Sequence, residues 1–467
     1  MVVNEVVIVG GGTSGWLTAA ALLSHVPNIK ITLVDKEEPT PIGVGEATLV
    51  GFNSFMKDCG FGPEWISACD ATLKGGIAFP DWGHDGNWVW HPFYFLENEF
   101  GESLCDNWSN QKDFDFKSIL PLYHECSNNK IDLDRLDGYA FHLDCSKLVS
   151  FVSGKIKDKI NFISSSVMGV IFDGESVKDI QLNNGQTITA DLYVDCTGFK
   201  TLLKRRKDKV DLSGRLFVNT AVCCPVPYED PIKEMVPYTR CDAVDHGWVW
   251  RTPIRTRIGS GLVFNREVTS VDEAKDYFVK YWNNRIYKDN LKIIDWTPYY
   301  DRTMWYENVV SIGLSAGFIE PLESTGIQLI VEGINKVVNV VRARHYNDYD
   351  INFYNAWMQN LYEVCIDFVS MHYSKSQKDT KFWNYVRDNY VESESIKIYL
   401  DNLNTEDPSF MGNKRSIFGG ANWIHLLLQF GYDIKTKTYK NLGHPSKMCY
   451  TSSNTMDYNR FIEEYFN

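Results

Sequence analysis

Between Gly317 and Ile327 the chain reads Gly-Phe-Ile-Glu-Pro-Leu-Glu-Ser-Thr-Gly-Ile and then enters an apolar, helix-like segment. This places an acid (Glu323), two hydroxyls (Ser324, Thr325) and the flexible amide of Gly326 at a helix start. Ser324 or Thr325 is the expected cap of that helix. The first N–H groups of a helix have no partners within it, and with the helix dipole they form a site for an anion. The chemistry on offer is an anion held beside a carboxylate. A well-capped helix carries the same residues, so the rest of the chain has to decide.

A second constellation lies at the N-terminus. Val6 to Val9 is a short apolar run, followed by Gly10-Gly11-Gly12-Thr13-Ser14-Gly15 and then Trp16 to Leu23, which reads as helix. In such a strand–turn–helix, Gly10 permits the tight turn, Gly12 lets backbone approach a pyrophosphate, and Gly15 allows close helix–strand packing. Thr13 and Ser14 join them as cofactor contacts. Ile31 to Val34 reads as a second strand, and Asp35 at its end is placed to hold a ribose hydroxyl.

Several elements must position these residues. Ile42 to Thr48 reads as a glycine-rich turn into a helix, making Gly45, Glu46, Ala47 and Thr48 a further phosphate or ribose contact. Ala190 to Phe199 and Val309 to Gly317 each read as a strand ending in a small-residue turn, with Gly198 and Gly313 in the turns. Three such sites far apart in sequence suit a flavoprotein whose FAD domain contains insertions. Ile160 to Ile188 and Phe217 to Val263 show alternation that predicts an antiparallel sheet over the flavin. Beyond residue 345 the spacing of Phe353, Trp357, Leu361, Val364, Phe368 and Met371 is helical, a stripe read as core. Lys378 to Asn389 and Trp423 to Phe430 add helices, while the tail after Asp433 reads as polar and uninformative. The expected fold is α/β: a Rossmann-like FAD-binding domain with an inserted antiparallel sheet over residues 1–345, and a mostly helical substrate-binding region over 346–467.

A net charge of −13 argues against nucleic acid or an anionic membrane as the main partner. No apolar run reaches the ~20 residues of a membrane span. A strand starting almost at Met1 leaves no room for a leader peptide, and the eleven scattered cysteines include no CxxC pair. Together these predict a cytoplasmic, reduced protein without a metal site.

With these segments in hand, the chain resembles the flavin-dependent tryptophan halogenases, over roughly residues 5 to 430. The resemblance is carried by Gly10 to Gly15, by Gly43 to Thr48, and by Ala71-Thr72-Leu73-Lys74-Gly75-Gly76-Ile77-Ala78-Phe79. Trp248-Val249-Trp250-Arg251-Thr252-Pro253 looks like the family's W-x-W-x-I-P signature, with Thr252 in place of isoleucine, and Glu320 to Ile327 also matches. The resemblance implies FAD as the cofactor (as FADH2, supplied by a separate flavin reductase), with O2 and a chloride, bromide or iodide ion. Halide is oxidised to hypohalous acid, which travels through a tunnel to an electron-rich arene, an indole or a phenol. It assigns the halide to the amides of Thr325 and Gly326, and a flavin contact to Ile327. Lys74 hydrogen-bonds the hypohalous acid or forms a haloamine with it. Glu323 acts as base or stabiliser of the cationic intermediate, and Ser324 orients the oxidant. His91 and Phe93 stack on one face of the arene, Phe382 and Trp383 on the other, while Trp248 and Trp250 shield the flavin. The AT-rich flavour of the composition hints at a phage source; oligomeric state is left open.

One stretch departs from the family. Free-tryptophan enzymes place tyrosines and a glutamate before the D-T-x-F-W segment. Here Lys378 stands where the acid is expected, and at most one tyrosine, Tyr373, remains. A lysine cannot pair with an ammonium group, so substituted indoles, phenols or other electron-rich arenes are expected in place of free tryptophan. An FAD-dependent aromatic monooxygenase is the alternative activity; it has no need of the Trp248/Trp250 wall or of Lys74.

Overall fold

The computed structural model describes residues 1–36, 45–83, 88–93, 121–374, 376, 378–405, 417–432 and 454–466. The chain divides into two compact units, each built from three separated segments: residues 1–70, 143–212 and 297–362 in one, and 71–142, 213–296 and 363–467 in the other.

The first unit is organised by a six-stranded sheet. Its order is Trp305–Tyr306, Val309–Ser311, Leu192–Asp195, Glu5–Val9, Lys30–Asp35 and Asn161–Ser164. All neighbours are parallel except the Trp305–Tyr306 edge hairpin. Val6, Val7, Ile8, Leu33, Val34, Leu192 and Val194 are buried, as strands covered on both faces require. The register pairs Val9 with both Val34 and Asp195, and Asp195 with Ser311. The carboxyl ends of four strands therefore open at one edge, where ligands bind in open α/β sheets. Helices Thr13–His25 and Thr325–Arg342 pack together on this sheet; the buried Ala19, Ala20 and Ala21 keep the first of them slim. A three-stranded antiparallel sheet, Val167–Asp173, Ser176–Leu182 and Thr187–Ile188, packs Val177, Ile180 and Leu182 against Val7, Val9 and Tyr193.

The second unit centres on a seven-stranded sheet ordered Lys292–Asp295, Thr220–Val226, Arg257–Phe264, Gly247–Ile254, Thr239–Val244, Gly76–Phe79 and Val89–Pro92. It is antiparallel except where Thr239 and Arg240 run parallel to Ile77 and Ala78. The helix Val271–Tyr281 opens on a capping box between Ser270 and Glu273 and sinks Ala274 and Phe278 into that sheet's core. The strand Thr72–Lys74 pairs Thr72 with His142 and Lys74 with Ala140.

Three expectations are corrected. The alternating segments do not form one antiparallel sheet: Asn161–Ser164 joins the parallel sheet, Val167 to Ile188 forms its own sheet in the first unit, and the strands from Thr220 to Phe264 belong to the second. Period-two alternation marks a half-buried strand without saying which neighbour it pairs with. After Gly45 the chain forms a short strand, Glu46–Ala47, and the helix starts only at Phe52; residues 42–44 lie outside the described residues. The tail is not featureless, since Thr455–Asp457 pairs with Lys130–Asp132 and leads into the helix Tyr458–Tyr465. Among the described residues, no helix is long and apolar enough to cross a membrane.

Candidate functional site

In the first unit two cavities, each of about 370 Å³, adjoin at the strand ends. One is lined by Gly10, Gly12, Asp35, Lys36, Ser165 and Lys200. The other is lined by Gly12, Thr13, Ser14, Glu46, Gly198, Gly313, Thr325, Gly326 and Ile327. Gly12, Cys196 and Thr197 line both, so a single groove runs from Asp35 to the start of the helix Thr325–Arg342. The structure thus brings together most of the residues expected to hold the cofactor with those expected to hold the anion. Gly45, Ala47 and Thr48 line neither cavity, and Thr48 is buried.

The glycines of the first turn are there for different reasons. Gly10 has φ +105°, and a Cβ on it would collide with the Cys196 carbonyl; a Cβ on Gly15 would strike the Gly10 carbonyl oxygen. A Cβ on Gly12 would meet no protein atom within 4 Å and would stand over the groove. Its smallness serves whatever lies there, which is the fit that a dinucleotide pyrophosphate requires. The Asp35 carboxylate accepts from the amides of Lys36 and Gly11; burial nonetheless leaves its pKa above the ordinary value.

Sequence reasoning missed Asp195. Fully buried, it accepts from the Thr197 amide at 3.0 Å, the Thr197 hydroxyl at 2.6 Å, the Leu203 amide at 2.9 Å and the Ser315 hydroxyl at 3.1 Å. One carboxylate therefore ties the Gly198 turn to the Gly313–Ser315 turn. An aspartate ending a buried strand ahead of Cys-Thr-Gly was the available signal. Glu46 likewise accepts the Cys145 amide, at 3.2 Å.

The helix start differs from its expectation. Ser324 is the N-cap residue, but it sits in the left-handed region (φ +58°, ψ +31°) and its side chain makes no capping hydrogen bond. A left-handed non-glycine residue costs about 1 kcal/mol or more. That geometry turns the chain so that Thr325, buried, and Gly326, exposed, line the groove with no side-chain cap across the first-turn amides. Glu320 and Glu323 are both buried behind this turn.

In the second unit, Lys74 is fully buried and its Nζ lies 4.8 Å from the centroid of the Phe93 ring. Buried ammonium groups persist only where polar or aromatic groups meet them. The Gly75-Gly76 step makes the neighbourhood: the Phe93 amide donates to the Gly75 carbonyl, and Gly76 and Ile77 pair with Pro92 and His91. Lys74, His91 and Phe93 are thereby assembled. The Asn422 amide donates to His91 Nε2 at 2.9 Å, and the His91 ring meets Phe368 at 5.4 Å and Phe418 at 5.9 Å. Phe418 stacks on Phe368 with centroids 3.9 Å apart and planes 14° from parallel.

Phe382 and Trp383 are fully buried and are linked to this group through other rings. Trp383 donates to the Val244 carbonyl and packs on Trp82, which meets His372 and, beyond it, Phe368. Among the described residues, the rings that meet His91 are Phe93, Phe368 and Phe418; Phe368 belongs to the helical stripe whose spacing predicts core. Trp248 and Trp250 lie 6.4 Å apart on one strand, with an edge of the Trp250 ring against Gly261, where any side chain would collide. Trp248 Nε1 donates to the Tyr373 hydroxyl at 2.9 Å. Lys378 pairs with Asp81 at 4.0 Å. Beneath Lys74, His142 bonds Thr72 at 3.2 Å and Thr239 at 2.8 Å.

A family model described as tryptophan halogenase matches residues 5–446. The chain is 29% identical over 416 residues to the tryptophan 6-halogenase ThaL of Streptomyces albogriseolus, spanning 82% of this chain and 78% of that protein. It is also 29% identical over 420 residues to the tryptophan 7-halogenase RebH of Lentzea aerocolonigenes, spanning 82% and 78%. Among solved structures, Xcc4156, a flavin-dependent halogenase from Xanthomonas campestris, superposes with a TM-score of 0.87 at 26% identity, covering 100% of this chain and 99% of that one.

Proposed function

The chain belongs to the tryptophan halogenase family and is a flavin-dependent halogenase; from that premise we propose how its residues divide the work and which arene it takes. The observation that carries the proposal is the groove from Asp35 to the uncapped helix start at Thr325 and Gly326. In it, Asp35 would hold ribose, Gly10 to Gly15 the pyrophosphate, and Glu46, Gly198, Gly313 and Ile327 the remainder of FAD. Bound FADH2, supplied by a separate flavin reductase, together with O2 provides the oxidising equivalent that converts halide to hypohalous acid.

The chain's own residues do the rest. The amides of Thr325 and Gly326 hold the halide; neutral donors grip it without the strength of a full cation, so it stays reactive. Lys74, kept dry beside Phe93, hydrogen-bonds the oxidant and sharpens it, or carries the halogen as a haloamine. Glu323 stabilises developing positive charge and removes the ring proton, an effect that grows in a dry site. Ser324 orients the oxidant. His91 and Phe93 form one wall for the arene, and Phe382 and Trp383 support the other from behind, through Trp82, His372 and Phe368, with residues 346–467 as the substrate-binding region and Trp248 and Trp250 as the flavin screen.

The arene is an indole or phenol without the amino-acid head of tryptophan. Lys378, with Asp81 as its partner, offers no anion to an ammonium group, and the Tyr373 hydroxyl is engaged by Trp248. Tight, saturable binding of free tryptophan would refute this. Amide donors select weakly by size, and larger halides are easier to desolvate and oxidise, so bromide and iodide should outcompete chloride in one pot.

The decisive assay combines the protein with FAD, a flavin reductase, NADH, O2, mixed halides and an arene panel, read by mass spectrometry. Halogen-for-hydrogen shifts are expected from the wild type. Lys74→Ala should lower them by at least a hundredfold with FAD affinity retained. Hydroxylated product independent of halide would instead establish a monooxygenase.

A further inference from the structure

The molecule carries a net charge of −13, which repels an anionic cofactor at long range. One short stretch runs the other way. Between residues 200 and 209, Lys200, Lys204, Arg205, Arg206, Lys207 and Lys209 face a single acid, Asp208. Lys204 is spent inside, fully buried against Asp301 at 2.7 Å. The others are at the surface: Lys200, Arg205, Arg206, Lys207 and Lys209 are all exposed.

The stretch borders the groove. Lys200 and Leu202 line the cavity that contains Asp35, and Lys36 adds a further cation to the same wall. Lys209 lies 4.0 Å from the Tyr299 ring, which meets Phe199; Phe199 in turn meets Phe318, a lining residue of the second cavity. Lys207 is close enough to Lys209 to help lower its pKa, after burial, the larger cause. Arg205 bonds the Gly174 carbonyl and covers the Phe172 ring, Arg206 lies over Tyr306 and Lys209 over Tyr299, yet like charges crowded beside a ligand groove still repel one another. They do create a local positive field where a ligand enters.

We propose that the basic run over residues 200–209 is a capture surface for free anionic flavin dinucleotide, steering its charged pyrophosphate into the groove of an otherwise repelling molecule. This rests on the flavin-dependent reading above. Lys207 and Lys209 act at range, through a field that fades over a Debye length of about 10 Å at 0.1 M salt, while Lys36 and Lys200 complete the path at the wall. The field accelerates arrival and leaves residence of the seated cofactor almost unchanged, because neither Lys207 nor Lys209 lines the groove.

The test is stopped-flow association of oxidised FAD, followed by flavin fluorescence across a salt series. For the wild type, the association rate should fall steeply with salt. Lys207→Glu with Lys209→Glu should slow association about tenfold at low salt, shift dissociation less than twofold, and converge on the wild type near 0.5 M salt. Lys30→Glu, at the opposite end of the strand that carries Asp35, changes net charge by the same amount per site and should leave the rate within twofold. Unchanged association in the double variant, or an effect confined to dissociation, overturns the proposal. An effect seen only when the reductase is present, with free FAD unaffected, overturns it in favour of a protein-docking patch. Failure of the wild-type protein to bind FAD at all would refute the flavin site itself, a separately readable result.

Discussion

His142 shows how much one buried side chain can decide. The Thr72 hydroxyl donates to the Pro253 carbonyl at 2.6 Å, so its oxygen is left to accept from Nδ1–H of His142, while Nε2 accepts from the Thr239 hydroxyl. Burial, and then the nearby charge of Lys74, push the imidazole pKa well below its ordinary value. The unfolded chain takes up a proton below about pH 6.5, whereas the folded chain does not. The stabilisation from this residue is therefore complete above that pH and is lost as pH falls, at about 1.4 kcal/mol per unit until the folded pKa is reached. Urea unfolding of wild type and His142→Gln at pH 8, 6 and 5 should show the curves converging on acidification by that slope. Parallel curves would mean that the histidine titrates alike in both states. The same network anchors the strand that bears Lys74, so the wild type should lose activity with stability on the acid side.

At the scale of elements, the C-terminal strand and helix act as a clasp on that strand. Tyr458 is fully buried and its hydroxyl donates to the carbonyl of Leu73 at 3.1 Å, one residue before Lys74. Tyr458→Phe should cost about 1 kcal/mol, the usual worth of such a bond. Removing residues 454–467, with the buried Phe461 and Ile462, should cost several times more. Urea midpoints should fall in the order wild type, Tyr458→Phe, truncated chain; a truncated chain as stable as wild type would contradict the clasp. What the sequence made legible follows from distance along the chain. The strand–turn–helix at Val6 to Leu23 was readable because its signal, an apolar run followed by glycines at fixed spacing, is local even though its packing partners are distant. The role of Asp195 was not, because its partners include Leu203 and Ser315, and no periodicity links those positions. The left-handed Ser324 was read as an ordinary cap because composition favours serine there, whereas its backbone angle is set by the turn before it. Tyr458 was hidden for a third reason: a short amphipathic helix after a polar tract carries little signal until its strand partner at Lys130–Asp132 is known.

At the scale of the whole molecule, the chain contributes three segments to each unit, and the central strand Glu5–Val9 pairs with residues almost two hundred positions away. Such non-local pairing makes folding slow and leaves no early fragment with a finished groove. The distribution of sulfur has another consequence. All nine cysteines among the described residues are buried, and burial raises the thiol pKa of Cys59, Cys69 and Cys196 to about 12 and of Cys224 to about 11. Thiolates are the first groups an electrophilic oxidant consumes, and those nine thiols are hidden, these four among them with clearly raised pKa values. Met168, by contrast, is 72% exposed. A catalyst that works through a diffusible oxidant thus carries its own passivation, with a surface thioether as a sacrificial site. Peptide mapping after prolonged turnover should find sulfoxide at Met168 well before any loss of the buried thiols, so that the working lifetime is set by accumulated surface damage and the interior survives it.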